Sequence, residues 1–191
     1  MIENLSLFKP LVPTEAKIKL LAKKLMEESL YLDDSHRDYN KIYQILFNGF
    51  SNGENLFYEI GENFFSGIIG FVNVENNWRG EIVYKMWDEK LWGPKLIKQT
   101  RKLIKAIMDR FNLKRLSLET ACEKAMRICR LWSFKIEGRF KYSFKWNDEF
   151  FTVYKLRILK EEMTDEIPNS KTKQKTKHGG KKMRILKEKI E

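Results

Sequence analysis

A chain of 191 residues, 42% hydrophobic and 13% aromatic, is long enough to bury the core of one domain with some chain to spare. Its apolar runs fall short of the roughly 20 residues a membrane span needs, and Met1-Ile2-Glu3-Asn4 lacks the basic segment and apolar run of a secretory signal, so a cytoplasmic protein without membrane contact is expected. The net charge is +11, yet nine Lys and Arg against Glu188 and Glu191 place +7 between Asn169 and Glu191, so the basic excess belongs mainly to the end of the chain.

Leu5 to Lys9 reads as a short edge strand, punctuated by Pro10 and Pro13. Thr14 is a candidate N-cap for a helix to about Leu30, with Ile18, Leu21, Ala22, Leu25 and Met26 on its apolar stripe. The polar link Asp33 to Asp38 leads to a second helix carrying Ile42, Tyr43, Leu46, Phe47 and Phe50. Within that link His36-Arg37-Asp38 matches part of a kinase catalytic loop, but no glycine-rich loop or Asp-Phe-Gly run accompanies it, and it reads as a helix-capping linker. After the Asn52-Gly53 turn come strands at Leu56 to Ile60, Phe64 to Val74 and Glu81 to Trp87, separated by short turns, which predicts an antiparallel meander. In the third strand Ile82, Tyr84 and Met86 face one way, and Val83, Lys85 and Trp87 the other.

Gly93-Pro94 then opens a helix in which Leu96, Ile97, Thr100, Leu103, Ile104, Ile107, Met108 and Phe111 recur at three- and four-residue steps. An apolar strand, Leu113 to Leu118, follows closely, giving a β-α-β unit whose strands should be parallel. Ligands of such units gather where strand meets helix N-terminus, which singles out the Trp87 to Ile97 corner. A short helix with Ala121, Ala125, Ile128, Cys129 and Trp132 on its buried side precedes a hairpin, about Phe134 to Phe144 and Glu149 to Ile158, turning at Trp146-Asn147-Asp148. Cys122 and Cys129 lie seven residues apart on that helix, roughly 10 Å along its axis, which is beyond disulfide reach. With only His36 and His178 in the chain, neither a Cys- or His-based metal site nor a Ser-His-Asp triad is expected.

The order of two helices, a three-strand meander and a central β-α-β unit resembles the GNAT superfamily of acyl-CoA-dependent N-acyltransferases. The likeness covers about residues 1 to 158. In the C-terminal pattern of that family Cys122 takes an Asn place, Ala125 an Ala, Ser133-Phe134 a Gly-Phe, and Glu137-Gly138 match outright. Trp92-Gly93-Pro94-Lys95-Leu96-Ile97 takes the place of the pyrophosphate loop, Arg/Gln-x-x-Gly-x-Gly/Ala, with Lys95 and Ile97 where small residues stand and Pro94 lacking an N–H. The resemblance implies an α/β (α+β) fold: a mixed, mostly antiparallel sheet with a central parallel pair and helices on both faces. It also implies acetyl-CoA as cofactor, an amine acceptor whose identity the sequence leaves open, and cofactor contacts from Met86, Trp87, Trp92, Gly93, Pro94, Lys95, Leu96, Ile97 and Cys122. A carboxylate general base and a backbone donor for the thioester oxyanion near Tyr84 to Trp87 complete the implied chemistry. Glu119, at a strand's C-terminal end, and Glu81 are the candidate bases; each also reads as a solvated surface acid. Cys129 stands where many members place a tyrosine that protonates the leaving thiolate, and it also reads as a small core residue.

Residues 1–159 are thus expected to form the GNAT-like domain, and 160–191 an acidic link and a basic tail. Lys171 to Lys189 reads as a solvated, disordered segment or as an arm that contacts nucleic acid or another polyanion. Two other functions stay open: a catalytically silent GNAT fold serving as a binding or structural protein, as in small bacteriophage-encoded proteins with altered loops, and a polyanion-binding module. Oligomeric state is likewise open.

Overall fold

The computed structural model describes residues 5–27, 38–51, 53 and 55–163. The basic stretch after Asn169, the helix end near Leu30 and His36-Arg37 lie outside the described residues. In chain order the elements are β1 (Phe8–Pro10), α1 (Glu15–Glu27), α2 (Tyr39–Ser51), β2 (Leu56–Ile60), β3 (Gly67–Glu75), β4 (Arg79–Met86), α3 (Pro94–Arg110), β5 (Arg115–Thr120), α4 (Glu123–Leu131), β6 (Lys135–Trp146) and β7 (Glu149–Leu159), with single 3₁₀ turns at Glu89–Leu91 and Lys160–Glu162. The seven strands form one sheet in the order β1-β2-β3-β4-β5-β7-β6. Every neighbouring pair is antiparallel except β4 and β5. This is the mixed, mostly antiparallel sheet with a central parallel pair expected from the sequence.

Local chemistry sets the element ends. The Thr14 hydroxyl accepts from the Lys17 N–H at 3.4 Å and Asp38 accepts from the Lys41 N–H at 3.0 Å, so each of the first two helices begins on a side-chain cap. Pro94 occupies the first turn of α3. The β6–β7 turn carries positive φ at both Asn147 (49°) and Asp148 (61°), the conformation a two-residue hairpin of matching twist requires and one that Asn and Asp tolerate. β1 is displaced from the expected Leu5 to Lys9: Leu5 and Leu7 are buried, and the strand begins only at Phe8 and includes Pro10, which a sheet edge admits.

The main core lies between one face of the sheet and α3 with α4. Leu96, Leu103, Ile104 and Ile107 of α3, Trp132 after α4, and Phe71, Leu116 and Leu156 of the sheet are fully buried. On the other face α1 and α2 bury Ile18, Leu21, Ala22 and Ile42 outside that cluster, and Phe50 meets Phe57 edge to face at 4.7 Å. Alternation therefore turns Tyr58, Ile69, Ile82, Tyr84 and Leu118 to the α3 side, and Phe57, Val83, Lys85 and Glu119 to the α1–α2 side. The folded chain continues past Leu159: Glu162 pairs with Lys135 and Arg157, each at 2.7 Å, and Met163 packs on the core.

Ile104→Asp puts an unpaired carboxylate into the fully buried face of α3, at an expected cost on the order of 4 kcal/mol or more, a large part of the stability of a domain this size. Denaturant unfolding should find little cooperative structure in the variant; a midpoint equal to that of the parent would show that this face does not meet the core.

Candidate functional site

β4 and β5 are in register only at Arg79–Arg115, Gly80–Leu116 and Glu81–Ser117. Beyond these pairs β4 stays bound to β3 as far as Met86, and β5 stays bound to β7 as far as Thr120, so the two parallel strands part and leave a wedge in the middle of the sheet. The Trp87 N–H donates at 3.1 Å to the carbonyl of Ser66, the residue just before β3. Strand alternation then turns the N–H groups of Met86 and Tyr84 away from β3 and into the wedge.

A cleft of about 910 Å³ passes through this opening. Glu81, Val83, Lys85 and Glu119 wall it on the α1–α2 face, and Ile82, Tyr84, Leu118 and Cys129 on the other. A second cleft, about 460 Å³, lies between the start of α3 (Trp92, Gly93, Ile97) and α4 (Glu123, Lys124, Arg127, Ile128, Leu131). Tyr84 stands between the two: its ring meets Trp92 at 6.1 Å and the fully buried Trp132 at 4.9 Å, and its hydroxyl approaches the Met86 sulfur at 3.5 Å.

The structure brings both candidate bases, Glu81 and Glu119, to the larger cleft. Glu81 accepts from Asn73 Nδ2 at 3.2 Å, a residue at positive φ (51°) in a bulge of β3, and Glu119 lies 3.4 Å from the Lys155 ammonium. Of the residues singled out for a cofactor, Trp92, Gly93 and Ile97 line the smaller cleft. Pro94 is exposed in the first turn of α3, and Lys95 beside it is exposed and paired with Glu62. Leu96 and Met86 have buried side chains, so their main-chain groups are what they offer a ligand. Trp87 and Cys122 wall neither cleft: Trp87 packs edge-on against Phe65 at 5.1 Å, and Cys122 is the N-cap residue of α4, with its N–H on the Thr120 hydroxyl at 3.1 Å.

Sequence reasoning placed a main-chain donor near Tyr84 to Trp87 but passed over the Tyr84 ring, Lys85, Lys124 and Arg127 as site residues. Lys85 is 2% exposed on a central strand, and alternation already placed it on a face shared with Val83. Lys124 pairs with Glu89, and Arg127 lies 3.6 Å from Glu123 one helical turn earlier. Their approach to the start of α3 depends on how α4 docks, which local sequence does not carry. Among the described residues no group of acidic, His and Cys side chains is arranged to hold a metal ion, and no helix is long and apolar enough to cross a membrane.

No family model matches the chain, and no curated protein does. Solved structures match it well in shape. A chimera of Vibrio cholerae spermidine N-acetyltransferase SpeG with hSSAT superposes at a TM-score of 0.65 over 82% of this chain and 97% of that one, at 12% identity. RimL, a ribosomal L7/L12 alpha-N-protein acetyltransferase in complex with coenzyme A, gives 0.63 over 80% and 94% at 17% identity. The Vibrio cholerae spermidine enzyme in complex with CoA and spermine gives 0.61 over 83% and 98% at 15% identity. The chain has the GNAT fold. At these identities the likeness is one of architecture, and in this GNAT fold the chemistry has to be argued from the wedge and its two clefts.

Burial pushes the Cys129 thiol up to about 12, away from the range in which it would give a proton readily to a departing thiolate. At pH 8 only about one Cys129 in ten thousand would be thiolate. In native protein a disulfide reagent should therefore titrate Cys122 first, with Cys129 reacting only on unfolding. Because the folded thiol keeps its proton where the unfolded one, near 9, loses it, stability should fall as pH rises from about 9 toward 12, and Cys129→Ala should remove that part of the slope. Two thiols reacting at equal rates in the native state would contradict this burial.

Proposed function

We propose that the protein is an N-acetyltransferase that takes an acetyl group from acetyl-CoA and delivers it to an amine. The observation that carries this reading is the parted β4–β5 pair, with two carboxylates on one side of the opening and an uncapped helix start with two cations on the other. The residues at the smaller cleft suit the anionic end of such a cofactor. Gly93 precedes α3 in an extended conformation without a side-chain cap, and a Cβ there would meet no atom within 4 Å. The N–H groups of Lys95 and Leu96 are free of intrahelical partners by their position, while Pro94 contributes none. The Lys124 and Arg127 side chains border the same space.

Bound there, the cofactor supplies an activated acyl group in a thioester. The protein has three tasks around it. The helix start and the α4 cations hold the diphosphate by N–H donation and charge. The Met86 and Tyr84 N–H groups, turned into the wedge, would be the donors for negative charge developing on a thioester carbonyl oxygen held there. Glu119, on the cleft face beyond the last β4–β5 pair and 3.4 Å from the Lys155 ammonium, would take the proton that the ammonium must lose, and the second proton shed as the amide forms would pass to the departing thiolate. Glu81, at the last paired position, is the alternative base. A silent fold that only binds is the second reading, and one observation favours it: the loop places Pro94 and the Glu62-paired Lys95 where a closer backbone cradle would need glycine.

Acetyl-CoA with a panel of primary amines, followed by release of the free thiol, tests the reading. Turnover should be measurable, and Glu119→Gln should lower kcat by about a hundredfold or more with cofactor affinity nearly unchanged. Normal turnover in Glu119→Gln together with loss in Glu81→Gln would move the base to Glu81; absence of turnover with every amine would favour the silent reading.

A further inference from the structure

The wall of the larger cleft has a composition that selects among amines. Its charged residues among the described part of the chain are Glu81, Glu119, Lys85 and Lys155, two of each sign, and Lys155 already lies 3.4 Å from Glu119. The rest of the wall is mostly apolar: Leu21 and Leu25 of α1, Ile45 and Phe50 of α2, Val83 of β4 and Phe144 of β6. Two of these stand open to solvent where a packed domain would cover them. Val83 sits on a central strand with 43% of its surface exposed, and Ile45 of α2, lining the same cleft, is 58% exposed. Exposed apolar side chains on one cleft wall are covered only when something apolar lies against them.

From these observations we propose that the acceptor is a primary monoamine with an aromatic or branched apolar body, bound with the body against Val83 and Ile45 and the amine toward Glu119. The proposal rests on reading the wedge as the site of acetyl transfer and narrows the substrate class of that site. A polyamine brings several positive charges, needs a carboxylate for each, and gains nothing from an apolar wall; this cleft offers two carboxylates already offset by two ammonium groups. A monoamine needs a single carboxylate and gains roughly fourfold in affinity for each methylene it withdraws from water.

The test uses the full chain with 2-phenylethylamine, n-butylamine and spermidine as probes. Acetylation is followed by thiol release, and binding without cofactor by calorimetry. The expected kcat/KM for 2-phenylethylamine exceeds that for spermidine and that for n-butylamine each by about a hundredfold or more, since four further carbons than in n-butylamine are buried. Val83→Lys, which sets a charge at an exposed position on the wall that the apolar body covers, should reduce 2-phenylethylamine affinity about tenfold with an unchanged melting temperature, and Ile45→Lys should act in the same direction if Val83→Lys folds poorly. Binding of 2-phenylethylamine that responds to these variants, without any acetyl transfer, would uphold the inference about the ligand and remove the transferase reading. Preference for spermidine would overturn the inference and leave the transferase reading intact. Turnover confined to the N-terminus of a peptide, or no binding of 2-phenylethylamine at millimolar concentration, would also overturn it.

Discussion

Two parallel strands that are in register for three residue pairs and then part are the constraint on which the site depends. Leaving strand edges unpaired inside a sheet is costly, because each buried N–H or C=O without a partner loses about 1–3 kcal/mol. The opening persists because β3 fixes β4 from one side and β7, arriving from the far end of the chain, fixes β5 from the other, while the main-chain groups on the inner edges border the cleft. On the core side Trp132 and Tyr84 fill the space with rings at 4.9 Å. Arg101 fixes the corner that delivers Trp132, donating from the middle of α3 to the Ser133 hydroxyl at 2.6 Å and to the Leu131 carbonyl at 3.4 Å, while Ser133 itself sits at positive φ (76°). The long helix thus carries the core and also sets the turn that bounds the wedge.

The opening separates two kinds of surface. On the α3–α4 side are the uncapped helix start and the cationic side chains of Lys124 and Arg127; on the α1–α2 side are Glu81 and Glu119 over an apolar wall. That polarity is what the proposed transfer asks for: an anionic donor on one face and a basic acceptor on the other. Neither face is highly charged, because Glu89 and Glu123 offset the cations and Lys85 and Lys155 accompany the carboxylates. Selectivity in such a site comes from shape and apolar contact more than from net charge.

Much of this architecture was legible in the sequence. The three-four spacing from Leu96 to Phe111 identified the buried face of α3, alternation in Glu81 to Trp87 assigned the two faces of β4, and Asn147-Asp148 marked the hairpin turn. The short β-α-β spacing implied the one parallel pair. What local pattern could not show was that this pair separates, since parting depends on β7 inserting between β5 and β6, a non-local pairing across roughly forty residues of chain. For the same reason Tyr84 read as one more alternating aromatic, and Arg127 as a solvated helix residue, although docking brings the first into the opening and the second beside the start of α3. Trp87 was placed at the cofactor corner by proximity in sequence, and just past the end of β4 its ring packs against Phe65.

Calorimetry of acetyl-CoA binding to the purified protein tests most directly whether the wedge and the start of α3 form one cofactor site. Micromolar affinity is predicted, weakened at least tenfold by Arg127→Glu and left unchanged by Lys141→Glu on the distant edge strand β6. No detectable heat at millimolar acetyl-CoA, or binding that ignores the charge at Arg127, would contradict the account.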